Sequence, residues 1–141
     1  MASRYFVEQL EAAAEVELEG NEAHHLLHVV RLRPGERVLL FDGKGTDADA
    51  VIVATSRRKV ELRVEELRRH LPEASGLTLA VAPPKGERLR WMVEKLTELG
   101  VSRWVPLLTE RGVVSPGEGR QSKMPQWVIE AARQCGRHHL M

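Results

Sequence analysis

The spacing of apolar and polar positions changes near residue 72, and the two parts of the chain predict different folds. In the first part, runs rich in β-branched residues at 37–41 and 48–54 flank the turn sequence Asp42-Gly43-Lys44-Gly45, and residues 60–64 alternate apolar with charged side chains. Such runs predict strands, and a glycine-rich turn between two of them predicts a hairpin. We therefore expect residues 1–72 to form a compact antiparallel β-barrel or sandwich.

One helix is expected within this first part. Residues 21–30 start with the polar Asn21 and continue with apolar side chains at helical spacing, and Pro34-Gly35 then turns the chain into the next strand. A polar start followed by this spacing is typical of a short helix.

From residue 76 the pattern predicts strand and helix in alternation. Residues 77–82 and 104–108 form nearly continuous apolar runs, which are typical of strands covered on both faces. Between these runs, apolar side chains fall at helical spacing over residues 89–99, and Gly100 stands where a glycine often ends a helix. The three elements predict a βαβ crossover, which should be right-handed in a parallel sheet.

The sheet of this second part is expected to be incomplete. A second helix is predicted from a cap at Ser122 to about Cys135, and the sequence stops at residues 138–141, where a third parallel strand should begin. A parallel sheet of two strands leaves most of its apolar edge uncovered. We therefore expect either a fragment of a longer protein or a half that a partner completes.

The composition is that of a soluble globular protein, with 43% hydrophobic and 29% charged residues. The longest stretch without a formal charge, residues 74–84, is too short to span a bilayer. The first twenty residues lack the basic and apolar regions of a secretory signal, so a cytoplasmic location is expected. The single cysteine, Cys135, fits a reducing compartment and is expected to be a small buried residue on a helix.

The net charge of +1 is unevenly distributed along the chain. Residues 1–22 hold one basic and six acidic side chains, whereas residues 23–72 and 73–141 each hold ten basic and seven acidic ones. The mildly cationic parts permit a polyanionic partner such as nucleic acid without requiring one.

Histidines and glycines offer candidate sites with competing interpretations. His24 and His28 could share a helix face, but no cysteine or close pair of carboxylates completes a metal-ligand set, so we assign no metal. Contact of these histidines with phosphate, and a purely structural role, both remain open. The sequence Gly43-Lys44-Gly45-Thr46 lacks the spacer and the following helix of a phosphate loop, which favours a hairpin turn.

Two loops of the second part are better candidates for a ligand site. Lys85 follows the first predicted strand, and Thr109-Glu110-Arg111 follows the second. Ligands of open α/β sheets bind beyond the carboxyl ends of the strands, so both loops are expected at one site, where the two cations could hold a phosphate. A solvent-exposed lysine in a connecting loop is the competing interpretation of Lys85. No arrangement of nucleophile, base and acid suggests a hydrolase.

The chain resembles one known family, and the resemblance covers essentially its whole length in order. Short stretches carry it: residues 25–35, Phe41 to Gly45, Lys85-Gly86, residues 97–101, Pro106 with residues 109–114, and residues 130–137. These stretches look like those of the RsmE family (ribosomal small subunit methyltransferase E), bacterial methyltransferases of small-subunit ribosomal RNA.

This resemblance implies an α+β protein. It implies a PUA-like antiparallel β-barrel that grips RNA over residues 1–72, followed by the N-terminal part of a SPOUT-class α/β methyltransferase domain over residues 73–141. The implied activity is methylation of N3 of a uridine in the 16S rRNA of the small ribosomal subunit, with S-adenosylmethionine as cofactor. A role in rRNA processing and ribosome biogenesis, and a homodimer, follow from the same resemblance.

The resemblance also implies site residues. RNA contacts are expected on the barrel and in the substrate cleft, from Arg4, Arg31, Arg33, Lys44, Lys85 and Arg137, and Arg111 is expected to face the same cleft. Arg111 is in addition the candidate catalytic residue, because a cation would stabilise the uridinate that forms when N3 loses its proton.

The family builds its S-adenosylmethionine pocket from a glycine-rich, knotted C-terminal segment, which nothing in these 141 residues resembles. We therefore expect no cofactor-binding residue in this chain, the pocket and knot beyond residue 141, and a chain that is inactive by itself. Two alternatives remain: a non-catalytic RNA-binding module, and a small α/β protein that binds a phosphate ligand.

Overall fold

The chain divides between Leu71 and Pro72 into two units. The structure is a computed structural model that describes residues 3–72, 76–112 and 118–141. The first unit holds five strands and one helical segment, and the second holds two strands and three helices among the described residues, so the fold is mixed α+β.

The first unit is built on a five-stranded sheet in the order β1-β3-β4-β5-β2. Its strands are β1 (Arg4–Phe6), β2 (Glu15–Leu18), β3 (Arg37–Phe41), β4 (Thr46–Thr55) and β5 (Val60–Arg69). The strands predicted at 37–41, 48–54 and 60–64 are confirmed, and β4 and β5 are each longer than predicted. Alternate residues of β5 are buried, which is what alternating apolar and charged positions dictate in a sheet with one face on the core.

One strand departs from the antiparallel prediction. β1 pairs with β3 in parallel, with Tyr5 opposite Leu40, whereas the other neighbours in the sheet are antiparallel. Parallel neighbours need a long connection, and the residues between β1 and β3 provide one because they contain β2 and the helical segment.

The core of the first unit is formed by the inward side chains of the sheet together with Leu26 of the helical segment. Tyr5, Leu40, Ile52 and Leu62 are almost fully buried within it. Burial of these large apolar groups is the main favourable contribution to the stability of the unit.

The helical segment consists of α1 (Gly20–His24) and a π-helical turn over His25–Val30. The helix predicted over 21–30 is therefore confirmed in extent. In its second half, however, the backbone hydrogen bonds join residues five positions apart, as in a π-helix, and not four positions apart, as in an α-helix. The π-helical turn ends at Arg31, which adopts a left-handed conformation with φ 61°.

The second unit contains the predicted βαβ arrangement. β6 (Thr78–Val81) and β7 (Arg103–Pro106) pair in parallel, and α2 (Glu87–Glu98) connects them. Two further helices, α3 (Glu118–Gln121) and α4 (Met124–Cys135), follow. Leu89 and Val93 of α2 pack with Val128 of α4 in the apolar core of this unit.

The prediction that both strands are covered on both faces is wrong for the residues the structure describes. Thr78, Ala80 and Val81 of β6 are exposed, and Trp104 and Val105 of β7 are only half-buried. The reason is that the apolar core of the unit takes Trp104 from β7 but, within the described ranges, no side chain of β6.

Two predictions for α4 are also wrong. Ser122 does not cap this helix, because its hydroxyl donates to the carbonyl oxygen of Gly119 and the preceding turn of α3 places Lys123 at the cap position. Cys135 is exposed, because it lies in the last turn of α4, beyond Val128, Ala131 and Ala132, which form the buried face.

The helices of both units are short. The longest, α2 and α4, have 12 residues each. Within the described parts of the chain, no helix combines the length and the apolar character that crossing a membrane requires.

Candidate functional site

The turn between β3 and β4 presents Lys44 to solvent. The buried carboxylate of Asp42 accepts hydrogen bonds from the backbone N–H groups of Lys44 (2.8 Å) and Thr46 (2.9 Å). An aspartate that bonds the backbone two residues ahead stabilises a tight turn, so the predicted hairpin turn is confirmed. The ammonium group of Lys44 donates to the carbonyl oxygen of Glu8 (3.0 Å), which holds a positive charge beside the loop after β1.

Arg4 lies on the neighbouring strand in contact with an aromatic ring. Its guanidinium carbon is 4.4 Å from the centre of the Phe41 ring. A cation over an aromatic face is attracted by the ring quadrupole, so Phe41 orients the half-buried Arg4 side chain. The contact with Phe41 neither supports nor contradicts RNA binding by Arg4, which stays a prediction.

Arg31 and Arg33 follow the π-helical turn, and both side chains are exposed. The backbone N–H of Arg33 donates to the Glu36 carboxylate, which fixes the turn that carries it. Neither guanidinium forms an ion pair with another of the described residues. Both cations are therefore available to an anionic partner, as the predicted RNA contacts require.

A network of charged side chains on β4 and β5 is, in contrast, engaged in contacts within the unit. Arg68 donates to Asp47 (2.8 Å) and to both oxygens of Asp49 (2.7 and 3.1 Å). The hydrogen bond from Arg68 lowers the pKa of the Asp49 carboxyl below its ordinary value. The same contacts raise the pKa of Arg68, so this arginine stays charged and serves the fold.

Lys85 and Arg111 lie on the loops that follow the carboxyl ends of β6 and β7. The parallel pairing places Val81 opposite Pro106, and the backbone N–H of Leu107 donates to the carbonyl oxygen of Val81 (3.2 Å). The loop that carries Lys85 and the loop that carries Arg111 therefore begin side by side, whereas a shared ligand site stays a prediction. Both side chains are exposed.

Arg137 has a different environment from the other predicted RNA contacts. Its Nη1 donates to the carbonyl oxygen of Thr97 (3.1 Å) in the last turn of α2. The Thr97 side chain is buried, and its hydroxyl donates to the carbonyl oxygen of Val93 (2.8 Å). A cation at a helix C-terminus is favourable, so the structure gives Arg137 a role in joining α4 to α2.

Sequence reasoning missed a second basic cluster in the first unit. Arg57 and Arg58, in the turn between β4 and β5, line a cavity of about 400 Å³ together with His24 and His28. The signal in the sequence was the run Arg57-Arg58-Lys59 after a strand, but nothing local places it opposite the histidines. The neighbouring His25 points elsewhere, with its ring 5.9 Å from that of the buried Tyr5.

Comparison with known proteins bears on both units. The RNA methyltransferase PUA domain family matches residues 18–65, and the RNA methyltransferase domain family matches residues 72–141. Ribosomal RNA small subunit methyltransferase E of Bacillus subtilis (strain 168) is 32% identical over 152 residues, which cover 97% of this chain and 57% of the relative. The chain belongs to the RsmE family. It spans a little more than half the length of this curated relative.

Solved structures of two related proteins have the same fold. A ribosomal RNA small subunit methyltransferase E from Neisseria gonorrhoeae, bound to S-adenosyl methionine, matches with a TM-score of 0.89 at 27% identity over 99% of this chain and 59% of its own. A Legionella pneumophila protein in complex with S-adenosyl methionine matches with a TM-score of 0.83 at 29% identity over 99% of this chain and 60% of its own. The predicted PUA-type fold of the first unit and the family are confirmed, whereas the knot and the SPOUT architecture stay predictions.

Proposed function

We propose that this chain carries the RNA-binding domain and part of the catalytic domain of an S-adenosylmethionine-dependent methyltransferase acting on N3 of a uridine in 16S rRNA. The observation that carries the proposal is that two RNA methyltransferase domain families match consecutive parts of one chain. Relatives of known structure bound to S-adenosyl methionine support the choice of methyl donor.

RNA binding is proposed for the first unit. Its exposed cations Arg31, Arg33 and Lys44 lie on loops and turns at the surface of the sheet. Contacts from such side chains to phosphate give affinity that falls with salt and carry little base specificity. We therefore expect this unit to position the RNA and the target uridine to be selected elsewhere.

The catalytic contribution proposed for this chain is electrostatic. Uridine N3 must lose a proton before it can accept a methyl group, so negative charge develops on the ring. Arg111, on the loop that follows β7, would stabilise that charge, and Lys85 on the adjoining loop would hold a nearby phosphate.

S-adenosylmethionine supplies the methyl group when bound, and its chemistry can be compared with one cavity of the second unit. The second unit has a cavity of about 430 Å³ whose lining is mainly apolar, with polar side chains only from Arg103 and Gln121. A cofactor with an adenine, a ribose and an amino acid group needs several precisely placed acceptors, carboxylates among them. We therefore assign no residue of this chain to the cofactor.

The proposal is tested first by calorimetric titration of the chain with S-adenosylmethionine and with small-subunit ribosomal RNA. Salt-sensitive RNA binding without heat from the cofactor is the expected result. Micromolar cofactor binding would overturn the assignment of its pocket to residues outside this chain. Transfer of a labelled methyl group by the full-length protein, with the product nucleoside identified by mass spectrometry, tests the chemistry, and a product other than 3-methyluridine would overturn it.

A second candidate function is an RNA-binding module without catalysis. The exposed Arg31 and Arg33 of the first unit favour it, because these cations form no ion pair among the described residues and could contact phosphate without any part of the second unit. Absence of methyl transfer by the full-length protein, with RNA binding retained, would select this alternative.

We also propose a cytoplasmic homodimer, as the family membership suggests. Exposed apolar side chains on the second unit, Leu99 and Leu108 among them, offer surface for association. Light scattering across a range of protein concentrations tests the dimer, and a monomer throughout would overturn it.

A further inference from the structure

The cavity between α1, the π-helical turn and the β4–β5 turn has an unusual lining. It holds about 400 Å³ and is lined by Gly20, Asn21, His24, His28, Arg57 and Arg58. Two arginines and two histidines therefore line one space, and no aspartate or glutamate of the described ranges lines it. A second cavity of the same unit shows the opposite arrangement, because Glu8, Glu17, Glu19 and Glu22 line it.

The two histidines act as a pair. His24 ends α1 and His28 lies one turn later, and their ring centres are 4.9 Å apart. Both side chains are exposed, so their ring N–H groups are available as donors to a ligand in the cavity.

The turn that carries the two arginines is fixed by its own hydrogen bonds. The backbone N–H of Ser56 donates to the carbonyl oxygen of Lys59 (2.9 Å), and the Ser56 hydroxyl donates to the same oxygen (3.4 Å). Arg57 and Arg58 occupy the two positions between them. A turn closed in this way presents both guanidinium groups on a rigid support, which lowers the entropy lost on binding.

Two carboxylates before α1 pair with the third cation of the same turn. The Lys59 ammonium forms ion pairs with Glu17 and Glu19, and these contacts raise the pKa of Lys59 and lower that of Glu19. Arg57 and Arg58, in contrast, form no ion pair with any of the described residues. Lys59 therefore offsets part of the acidic charge before α1, and the cationic character of the cavity comes from Arg57 and Arg58.

We propose that His24, His28, Arg57 and Arg58 form a phosphate-binding site that takes a phosphodiester of the RNA backbone. Guanidinium groups match the oxygens of a phosphate in bidentate geometry, and two imidazole N–H groups can complete the set of donors. A cavity of about 400 Å³ admits a phosphate with its adjoining sugar. The choice of RNA as the source of the phosphate rests on the proposed function, whereas the phosphate chemistry rests on the cavity itself.

The test compares two double variants of the full 141-residue chain. Arg57→Gln with Arg58→Gln removes the guanidinium groups of the cavity. Arg63→Gln with Arg69→Gln is the matched control, because these exposed arginines on β5 also lack an ion pair among the described residues and do not line the cavity. Circular dichroism confirms that each variant is folded before binding is measured.

Affinity for a small-subunit ribosomal RNA fragment is measured over a series of salt concentrations. The cavity variant is expected to bind at least about tenfold more weakly at low salt, because charge-assisted hydrogen bonds are lost. Its plot of log affinity against log salt should be shallower by about 0.7–0.9 for each phosphate contact removed. Equal losses in the cavity variant and the control would overturn the proposal, as would unchanged binding in the cavity variant.

A second measurement separates this proposal from the proposed function. The ring signals of His24 and His28 are followed by NMR during titration with inorganic phosphate and then with the RNA fragment. Shifts with both ligands are expected in the wild type, and the affinity for both ligands should be lower in a His24→Gln, His28→Gln variant. Shifts with phosphate while the wild-type chain fails to bind RNA would defeat the proposed function but retain the phosphate site. RNA binding without any shift of these rings would defeat the site and retain the function.

Discussion

The guanidinium of Arg137 donates a hydrogen bond of 3.1 Å to the carbonyl oxygen of Thr97. This bond joins the segment that follows α4 to the last turn of α2. Resemblance to the family predicts that Arg137 contacts RNA, whereas this hydrogen bond indicates a structural role within the second unit. The two roles make different predictions, because only the structural one requires Arg137 for the stability of the free protein.

Replacing Arg137 with Ala is expected to destabilise the second unit by about 1–3 kcal/mol, because the Thr97 carbonyl loses a charged donor. Tryptophan fluorescence during urea unfolding measures this unit selectively, since Trp91, Trp104 and Trp127 all belong to it. Arg103→Ala is the control for loss of an arginine from the same unit. Unchanged unfolding together with weaker RNA binding would instead assign Arg137 to the RNA interface.

Replacing Asp42 with Ala is expected to cost about 1–3 kcal/mol, because the backbone N–H groups of Lys44 and Thr46 lose their shared acceptor. The same change should weaken RNA binding if Lys44 is a contact, since the turn no longer holds its ammonium in place. Asp42→Asn keeps an acceptor oxygen and should recover most of the stability. Far-UV circular dichroism during urea unfolding checks the first effect, and equal losses in both variants would show that the charge of Asp42, not its hydrogen bonds, stabilises the turn.

Much of the first unit was predictable because its signals are local. The alternation over β5 and the turn at Asp42 to Gly45 are set by neighbours in sequence, and so is the end of α2 at Gly100, whose φ of 82° suits glycine. The parallel pairing of β1 with β3 depends on residues about 35 positions apart, as Tyr5 opposite Leu40 shows, and no local spacing encodes such a register.

The candidate sites show the same division. The cations that follow motifs of the family, such as Arg31 and Lys85, could be named from the sequence, and the structure adds only their exposure. The cavity could not be named, because it forms only when the β4–β5 turn brings Arg57 and Arg58 to the face of α1 that carries His24. The ion pairs could not be predicted from the sequence either. Lys59 has the same local context as Arg57 and Arg58, and only the fold places Glu17 and Glu19 beside it.

The ion pairs of Arg68 predict how the stability of the first unit depends on pH. Arg68 lowers the pKa of Asp49 below its ordinary value, so the pair contributes stability above that value, about 3.9, and loses it as the pH falls through the lower pKa of the folded state. Arg68→Gln is expected to destabilise the unit by about 1–3 kcal/mol at pH 7, because the buried carboxylate of Asp47 also loses this donor.

Far-UV circular dichroism during urea unfolding at pH 7 and again below pH 4 provides the comparison. The difference between the wild type and Arg68→Gln should shrink at the lower pH, when Asp49 is protonated in the unfolded state. Arg63→Gln, on the same strand but without an ion pair among the described residues, should show a small difference at both values. A difference for Arg68→Gln that stays constant with pH would point to packing of its side chain as the source of the stability.

Arg111 offers the most direct test of the proposed chemistry. If it stabilises negative charge on the uridine ring, Arg111→Ala in a form of the protein that is active in methyl transfer should lower turnover by about 10²–10³ while RNA affinity changes little. Arg111→Lys keeps a positive charge and should recover part of the lost rate, more at higher pH, where more of the substrate N3 is already deprotonated. Lys85→Ala changes the loop that follows the carboxyl end of the neighbouring strand β6, and it should mainly weaken RNA binding. Single-turnover methylation and equilibrium binding separate the two effects, and parallel losses of rate and affinity in Arg111→Ala would reassign this arginine to phosphate contact.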